Sequence, residues 1–285
     1  MNGFINLNKP ADMTSHDAVN IVRRIFCTRQ VGHAGTLDPA ATGVLPIAVD
    51  RATKFIEYIA DGDKTYRAEI LFGTATDTGD ITGKVLKKVE NFKMPTLEEL
   101  NAAKKIFLGK IEQTPPKHSA IKINGRKAYE LARKNIDFEI PRRTVEIYRL
   151  DILNVGENFI EIEVDCSKGT YIRTLALDLG ESLNLPATLK NLQRRRVGDF
   201  KIENSVTLDE LKNFGEKKIL PVESCLNHFK NFDLPLHRAR AFINGLPTNV
   251  RESDAIVKVY TEKKFLGMGS IHERELRSLK LFLTE

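Results

Sequence analysis

Alternating and helically spaced apolar residues divide this chain into short strands and amphipathic helices. Phe4-Ile5-Asn6-Leu7 reads as a strand that Asn8-Lys9-Pro10 closes. Thr14 and Asp17 stand at capping-box spacing, and Ala18, Val19, Val22, Ile25 and Phe26 follow at helical intervals. The apolar run from Val44 to Val49 and the alternating run from Tyr66 to Phe72 predict strands on either side of a helical stretch from Ala52 to Ala60. Gly73 to Gly83 is rich in Thr and Asp and reads as a polar turn region, after which Thr96 with Glu99 opens a second capped helix reaching about Leu108. Two prolines exclude regular structure between Gln113 and Ser119, Asn124-Gly125 marks a turn, and residues 127–134 form a short basic helix.

A β region follows. Val145 to Val155 is one strand; in the next, Ile160, Ile162, Val164 and Cys166 alternate with Glu161, Glu163 and Asp165, and Gly156-Glu157-Asn158 turns the hairpin. Tyr171, Ile172, Leu175, Ala176, Leu179 and Leu183 then share one helix face. Strands interspersed with helices predict an α+β fold with a mixed, largely antiparallel sheet. Beyond about Asn231 the segments become shorter and more polar, with candidate strands from Ala255 to Val259 and from Lys264 to Ser270. The expected division is a main domain over 1–232 and a small module over 233–285, packed on it because so few residues make a marginal core alone.

Composition narrows the class. The 285 residues are 41% hydrophobic and 29% charged, as in a globular protein. No apolar run approaches the roughly 18 residues of a membrane span, and Met1 to Pro10 lacks a signal-peptide apolar region, so a cytoplasmic location with no membrane partner is expected. Cys27, Cys166 and Cys225 lie far apart with no CxxC pair, which argues against a structural zinc site and suits a reducing compartment. The net charge of +6 is concentrated: residues 101–150 hold twelve Lys or Arg against five Asp or Glu. That surplus fits a polyanionic partner or a solvated lysine-rich surface.

The chemistry concentrates in Gly32-His33-Ala34-Gly35-Thr36-Leu37-Asp38-Pro39-Ala40-Ala41-Thr42-Gly43-Val44-Leu45. Three glycines and a proline in this loop surround one histidine and one carboxylate, and Pro39 biases Asp38 toward extended backbone. Such a loop either aims Asp38 into a cleft as nucleophile or base, or is only a turn. The whole string resembles the G-H-x-G-x-L-D-P-x-A-T-G-V-L signature of the TruB family of tRNA pseudouridine synthases. Lys64-Thr65-Tyr66 is similar to the family's K-x-Y element, and Gly169-Thr170-Tyr171-Ile172-Arg173-Thr174-Leu175 to its G-x-Y-I-R-x-L element. Residues from Ile111 to Arg133 match a further family pattern, and Asn8 to Ser15 resembles N-K-P-x-G-x-T-S with Asp12 in place of glycine.

The resemblance implies a pseudouridine synthase fold with a small C-terminal PUA-like module, whose opening Ala239 to Gly245 resembles. It implies that Asp38 is catalytic, that Tyr66 stacks on the target base with its hydroxyl available to the C5 proton, and that Arg173 pairs with Asp38. Such a pair would lower the Asp38 pKa and orient the carboxylate. It places the motif histidine at His33, to fill the space a flipped base leaves, an active-site leucine at Leu192, and Lys9 in an RNA-binding element. Lys122, Arg126, Lys127 and Arg133 belong to its RNA-binding side. Arg194, Arg195 and Arg196, pointing in different directions, suit phosphate contact. The implied reaction converts the T-loop uridine known as position 55 of tRNA to pseudouridine. It needs no redox change, hence no cofactor and no metal, and the protein is expected to act as a monomer on the T stem-loop. Two other readings stand: the catalytic subunit of a guide-RNA-dependent synthase, and a non-catalytic protein that binds tRNA and helps it fold.

Overall fold

The computed structural model describes residues 1–283 apart from Ala120, Asn124 and Asn135, and the Arg133 side chain also lies outside the described residues. In chain order, β1 (Gly3–Lys9), α1 (Ser15–Ile25), β2 (Val31–His33), β3 (Thr42–Val49), α2 (Ile56–Ala60) and β4 (Lys64–Phe72) build the first half of a large sheet and its cover. A hairpin of β5 (Thr74–Thr76) and β6 (Val85–Lys88), helix α3 (Leu97–Lys105) and edge strand β7 (Gly109–Gln113) come next. A small hairpin, β8 (Lys122–Ile123) with β9 (Arg126–Lys127), leads into α4 (Ala128–Arg133). Strands β10 (Arg143–Val155) and β11 (Phe159–Cys166), helix α5 (Ile172–Ser182), and strands β12 (Ala187–Val197) and β13 (Phe200–Lys201) complete the sheet.

The sheet runs β1-β3-β12-β4-β11-β10-β7, with β2 and β13 off the path. Among the described residues its one parallel pairing is β12 with β3, which sets Arg194 beside Gly43. Strand alternation fixes what each face does. Ala68, Ile70 and Phe72 of β4 and Ile160, Ile162 and Val164 of β11 bury against Leu175, Ala176 and Leu179 of α5. Their neighbours Arg67, Glu161, Glu163 and Asp165 point outward into ion pairs with one another and with Arg149. β1 and β3 are buried on both faces: Ile5, Leu7, Leu45 and Ile47 meet α1, while Phe4, Val44 and Ala48 face the C-terminal part of the chain.

Capping boxes at Thr14 and Thr96 hold as the sequence predicts, and a third caps α6 (Leu208–Phe214) at Thr207. β1 continues through Lys9, and the stretch before α2 is a 3-10 helix over Asp50–Phe55. The region expected to be a polar turn contains β5 paired with β6, because its threonines suit an exposed strand. The C-terminal sheet has five strands rather than two. β14 (Lys230–Asp233), helix α7 (Leu236–Ile243), β15 (Thr248–Asn249), β16 (Ala255–Thr261), β17 (Lys264–His272) and β18 (Glu275–Leu281) give the order β14-β16-β17-β18-β15. A division after residue 232 therefore falls inside β14. These extra strands are short or carry mostly polar residues, so periodicity does not reveal them.

The two sheets share an apolar seam. Phe55 is fully buried, its ring 6.1 Å from that of Phe265 and 5.8 Å from that of Phe282. Among the described residues no helix is long and apolar enough to cross a membrane. Replacing a buried phenylalanine by alanine removes its contacts and leaves a cavity, so Phe55→Ala should lower stability by about 3–5 kcal/mol. Urea denaturation followed by circular dichroism checks this, and an unchanged midpoint would place the seam outside the stabilising core.

Candidate active site

The loop between β2 and β3 is a run of polar backbone laid across the sheet edge, and buried backbone of this kind needs partners. The Ser15 hydroxyl, at the start of α1, donates to the Leu37 carbonyl at 3.0 Å and accepts the Leu37 N–H at 2.8 Å. Lys9 is fully buried, and its ammonium donates to the carbonyls of Pro10 and Met13 at 2.7 Å each and of Pro39 at 3.1 Å. Burial, assisted by the Arg194 charge, pushes the Lys9 ammonium down to about 8. Arg194, 1% exposed, donates to the carbonyls of Val44 at 2.8 Å, Gly35 at 2.9 Å and Thr36 at 3.3 Å. Gly43 holds φ +103° and has no room for a side chain, since a Cβ there would sit 2.2 Å from the Arg194 carbonyl oxygen. Lys9 and Arg194 thus act as interior clamps on the loop, and Arg194 also lines the cleft that opens above Asp38.

Asp38 is held from across the molecule. Arg173, in the first turn of α5, sets Nε 3.0 Å from one Asp38 oxygen and donates from Nη2 to the other at 3.3 Å. The guanidinium is 5% exposed and also donates to the carbonyls of Thr78 at 3.1 Å and His118 at 3.0 Å. Asp80 brings a second carboxylate 3.8 Å from Nη1. The pairing expected from the sequence is present and acts in the expected direction, but burial outweighs it. Burial pushes the Asp38 carboxyl above its ordinary value; Arg173 opposes this, and Asp80 adds to it. The Asp38 side chain is 40% accessible through the cleft mouth, so a more basic carboxylate than usual faces open space. Asp80 was missed in the sequence because its turn carries no feature that distinguishes it from a structural Asx turn; it does accept hydrogen bonds from Thr78 and Thr82.

Above Asp38 opens a cleft of about 470 Å³, lined among others by Tyr66, Leu192, Tyr171, Arg143 and Lys64. Its size is that of a small-molecule or nucleoside pocket. Tyr66 is 8% exposed, and burial pushes its phenol up while Arg194 draws it down. Leu192 is half-buried at the wall. His33 ends β2, half-buried and outside the cleft lining, and burial with Arg194 holds its imidazole below the usual value.

The arginine run splits at a β-bulge between Arg194 and Arg196, where β12 shifts register against β4. Arg194 turns inward. Arg195 and Arg196 both turn outward, where Arg195 pairs with Glu203 at 2.7 Å and Arg196 donates to Thr65 at 2.9 Å. Arg196 also lies 3.9 Å from Asp165. The two outer arginines are partly exposed and already partnered within the chain, whereas Arg194 faces inward. Lys122, Arg126 and Lys127 are exposed on the β8–β9 hairpin, with the Lys127 ammonium 5.5 Å from the Tyr129 ring centre. Among the described residues no cluster of three or more His, Cys, Asp or Glu could hold a metal ion.

Comparison with known proteins adds to this geometry. Residues 23–172 match the TruB family pseudouridylate synthase N-terminal domain, and residues 173–227 the tRNA pseudouridylate synthase B C-terminal domain. A Clostridium tetani protein named tRNA pseudouridine synthase B is 39% identical over 290 residues, covering 99% of this chain and 100% of the relative. One of the same name from Bacillus pumilus is 45% identical over 257 residues, 86% of this chain and 82% of the relative. A solved H/ACA RNP bound to a substrate RNA containing 2′-deoxyuridine shares the fold, with a TM-score of 0.76 at 23% identity over 99% of this chain and 85% of that one.

The electrostatics of Asp38 are open to direct titration. Carbon-13 NMR of its carboxyl should give a midpoint above the ordinary 3.8. Asp80→Asn removes a repelling charge and should lower that midpoint, whereas Arg173→Met removes an attracting one and should raise it. A wild-type midpoint below 3.8 would mean that the guanidinium outweighs burial.

Proposed function

Since the chain belongs to the TruB family of pseudouridylate synthases, we propose that it converts one uridine of tRNA, the T-loop residue known as position 55, to pseudouridine. The observation that carries this reading is the Asp38–Arg173 pair at the floor of a cleft walled by Tyr66 and Leu192. The uridine must leave its loop stack to enter, at a cost of a few kcal/mol. Tyr66 and Leu192 offer the base an aromatic face and an apolar wall. His33, half-buried at the entry to the loop, is the residue we assign to the space that the extruded base leaves.

The chemistry breaks the N1–C1′ bond, turns the base within the cleft and joins C5 to C1′; the hydrogen on C5 leaves as a proton and N1 gains one, so the product is an isomer. Asp38 starts this as a nucleophile at the sugar or at C6, or as the base that opens a glycal route. Each role needs an ionised carboxylate whose position is fixed before the substrate arrives. Arg173 fixes it, and the burial that raises the Asp38 pKa makes it a stronger base and nucleophile. Burial keeps the Tyr66 hydroxyl a phenol in the free protein, with the Arg194 charge opposing that shift; Tyr66 is the group we assign to the C5 proton once substrate fills the cleft.

Lys122, Arg126 and Lys127 supply charge to the phosphates of the T stem-loop, and the small C-terminal sheet acts as a PUA-like second contact for a protein that works as a monomer. The 39–45% identity to proteins named tRNA pseudouridine synthase B supports a stand-alone enzyme over a guide-RNA-dependent subunit.

The test is tritium release from C5-labelled, unmodified tRNA without guide RNA. Wild type should release it, and Asp38→Asn should bind the same tRNA with release abolished; release at the wild-type rate would remove Asp38 from the mechanism. Silence of the wild type would favour the guide-dependent or the binding-only reading. In a separate measurement, joint replacement of Lys122, Arg126 and Lys127 by Ala should weaken tRNA binding and flatten its salt dependence by roughly 0.7–0.9 log units per lost phosphate contact, with kcat kept. An unchanged salt slope would place the RNA elsewhere.

A further inference from the structure

Gln113 is the last residue of edge strand β7 and is fully buried. Burying a primary amide is costly unless both of its ends are bonded. Here both ends go to one residue: the side-chain oxygen accepts the Tyr171 N–H at 2.9 Å, and the side-chain nitrogen donates to the Tyr171 carbonyl at 3.3 Å. Tyr171 is extended, with φ −102° and ψ 110°, and is the N-cap of α5, where no side chain of its own caps the helix. The carboxamide therefore stands where the peptide of a neighbouring strand would stand. It fixes the two backbone groups from which the helix departs.

The same turn of α5 is held twice more from the segment that follows β7. The Thr174 hydroxyl donates to the Thr114 carbonyl at 3.2 Å, and Arg173 Nη2 donates to the His118 carbonyl at 3.0 Å. Three consecutive contacts thus stitch the end of β7 to the residues on either side of the arginine that holds Asp38. Arg173 Nη1 adds a bond to the Thr78 carbonyl at 3.1 Å from another segment, and the Asp38 contacts at 3.0 and 3.3 Å tolerate little displacement.

We propose that Gln113 is a positioning residue: by clamping Tyr171 it sets where α5 begins and so keeps Arg173 in register with Asp38. The proposal rests on the reading of Asp38 and Arg173 as the catalytic pair. It also places Gln113 at the junction between the catalytic arginine and the segment that carries Lys122, Arg126 and Lys127.

The test uses the full chain and C5-tritiated tRNA. Gln113→Met keeps the length of the side chain and removes both hydrogen bonds; Gln113→Glu keeps the acceptor for the Tyr171 N–H. In Gln113→Met, kcat should fall on the order of tenfold to a hundredfold, the scale of a misplacement of about 1 Å. The tRNA dissociation constant should stay within about twofold, as for an interaction expressed only in the reacting state. The acid limb of kcat should move to higher pH, because a loosened Arg173 no longer lowers the Asp38 pKa; the other charges facing Asp38, from Asp80, Lys9 and Arg194, are untouched. Gln113→Glu should recover part of the loss. An unchanged kcat and acid limb in folded Gln113→Met, or a loss confined to tRNA affinity, would overturn the proposal. If Gln113→Met does not fold, Thr174→Val carries the same measurement, with a smaller loss and the same direction of the acid limb expected and no change overturning it. Asp38→Asn run in parallel separates the two levels: its retained activity would sink the catalytic pair itself, whatever Gln113 does.

Discussion

The pairing of Asp38 with Arg173 joins residues 135 apart in sequence, and the rest of the structure is arranged to make it possible. At the floor of the cleft the Asp38 carboxylate is partly withdrawn from water, and burial alone would favour the neutral acid. A guanidinium alone, in an open setting, would make the carboxylate an unusually weak base. Here the two influences oppose each other and burial is the larger. Arg173 keeps the charge tolerable and the orientation fixed, while enclosure keeps the group reactive.

Fixing one end of that pair requires a rigid loop, and the loop is made rigid by polar groups placed inside the protein. Ser15, Lys9 and Arg194 each spend their hydrogen bonds on carbonyls between Pro10 and Val44. Buried cations of this sort are costly unless fully bonded, and the backbone of the loop supplies the acceptors. The parallel β3–β12 pairing brings Arg194 to the spot, and Gly43 gives it room. Fixing the other end falls to α5, whose apolar face packs on the sheet and whose first turn is stitched to the end of β7.

Much of this is legible in the sequence because it depends on local rules. The β10–β11 hairpin announces itself through alternation around Gly156, the helices through threonine capping boxes, and the reactive loop through glycine spacing around Asp38. What is not legible depends on tertiary placement. A bulge in β12 decides that Arg194 faces inward while Arg195 and Arg196 face outward, and no pattern of three arginines encodes it. Lys9 reads as a surface cation because nothing nearby in sequence shows that three carbonyls will surround it. The direction of the Asp38 shift, likewise, turns on how deeply a loop is enclosed by segments far away in the chain. Asp80 and Gln113 look like a turn residue and a strand end, and only the arrival of α5 gives them partners in the site.

In the proposed function a uridine leaves its stack to meet a carboxylate already in place. A crystal structure of the chain bound to a T stem-loop RNA examines it most directly. The target uridine should lie in the cleft against Tyr66, with its reacting carbon about 3–3.5 Å from an Asp38 oxygen and Arg173 still on the carboxylate. A uridine stacked within its own loop, or an Asp38 turned away from Arg173 and from the nucleoside, would contradict the account.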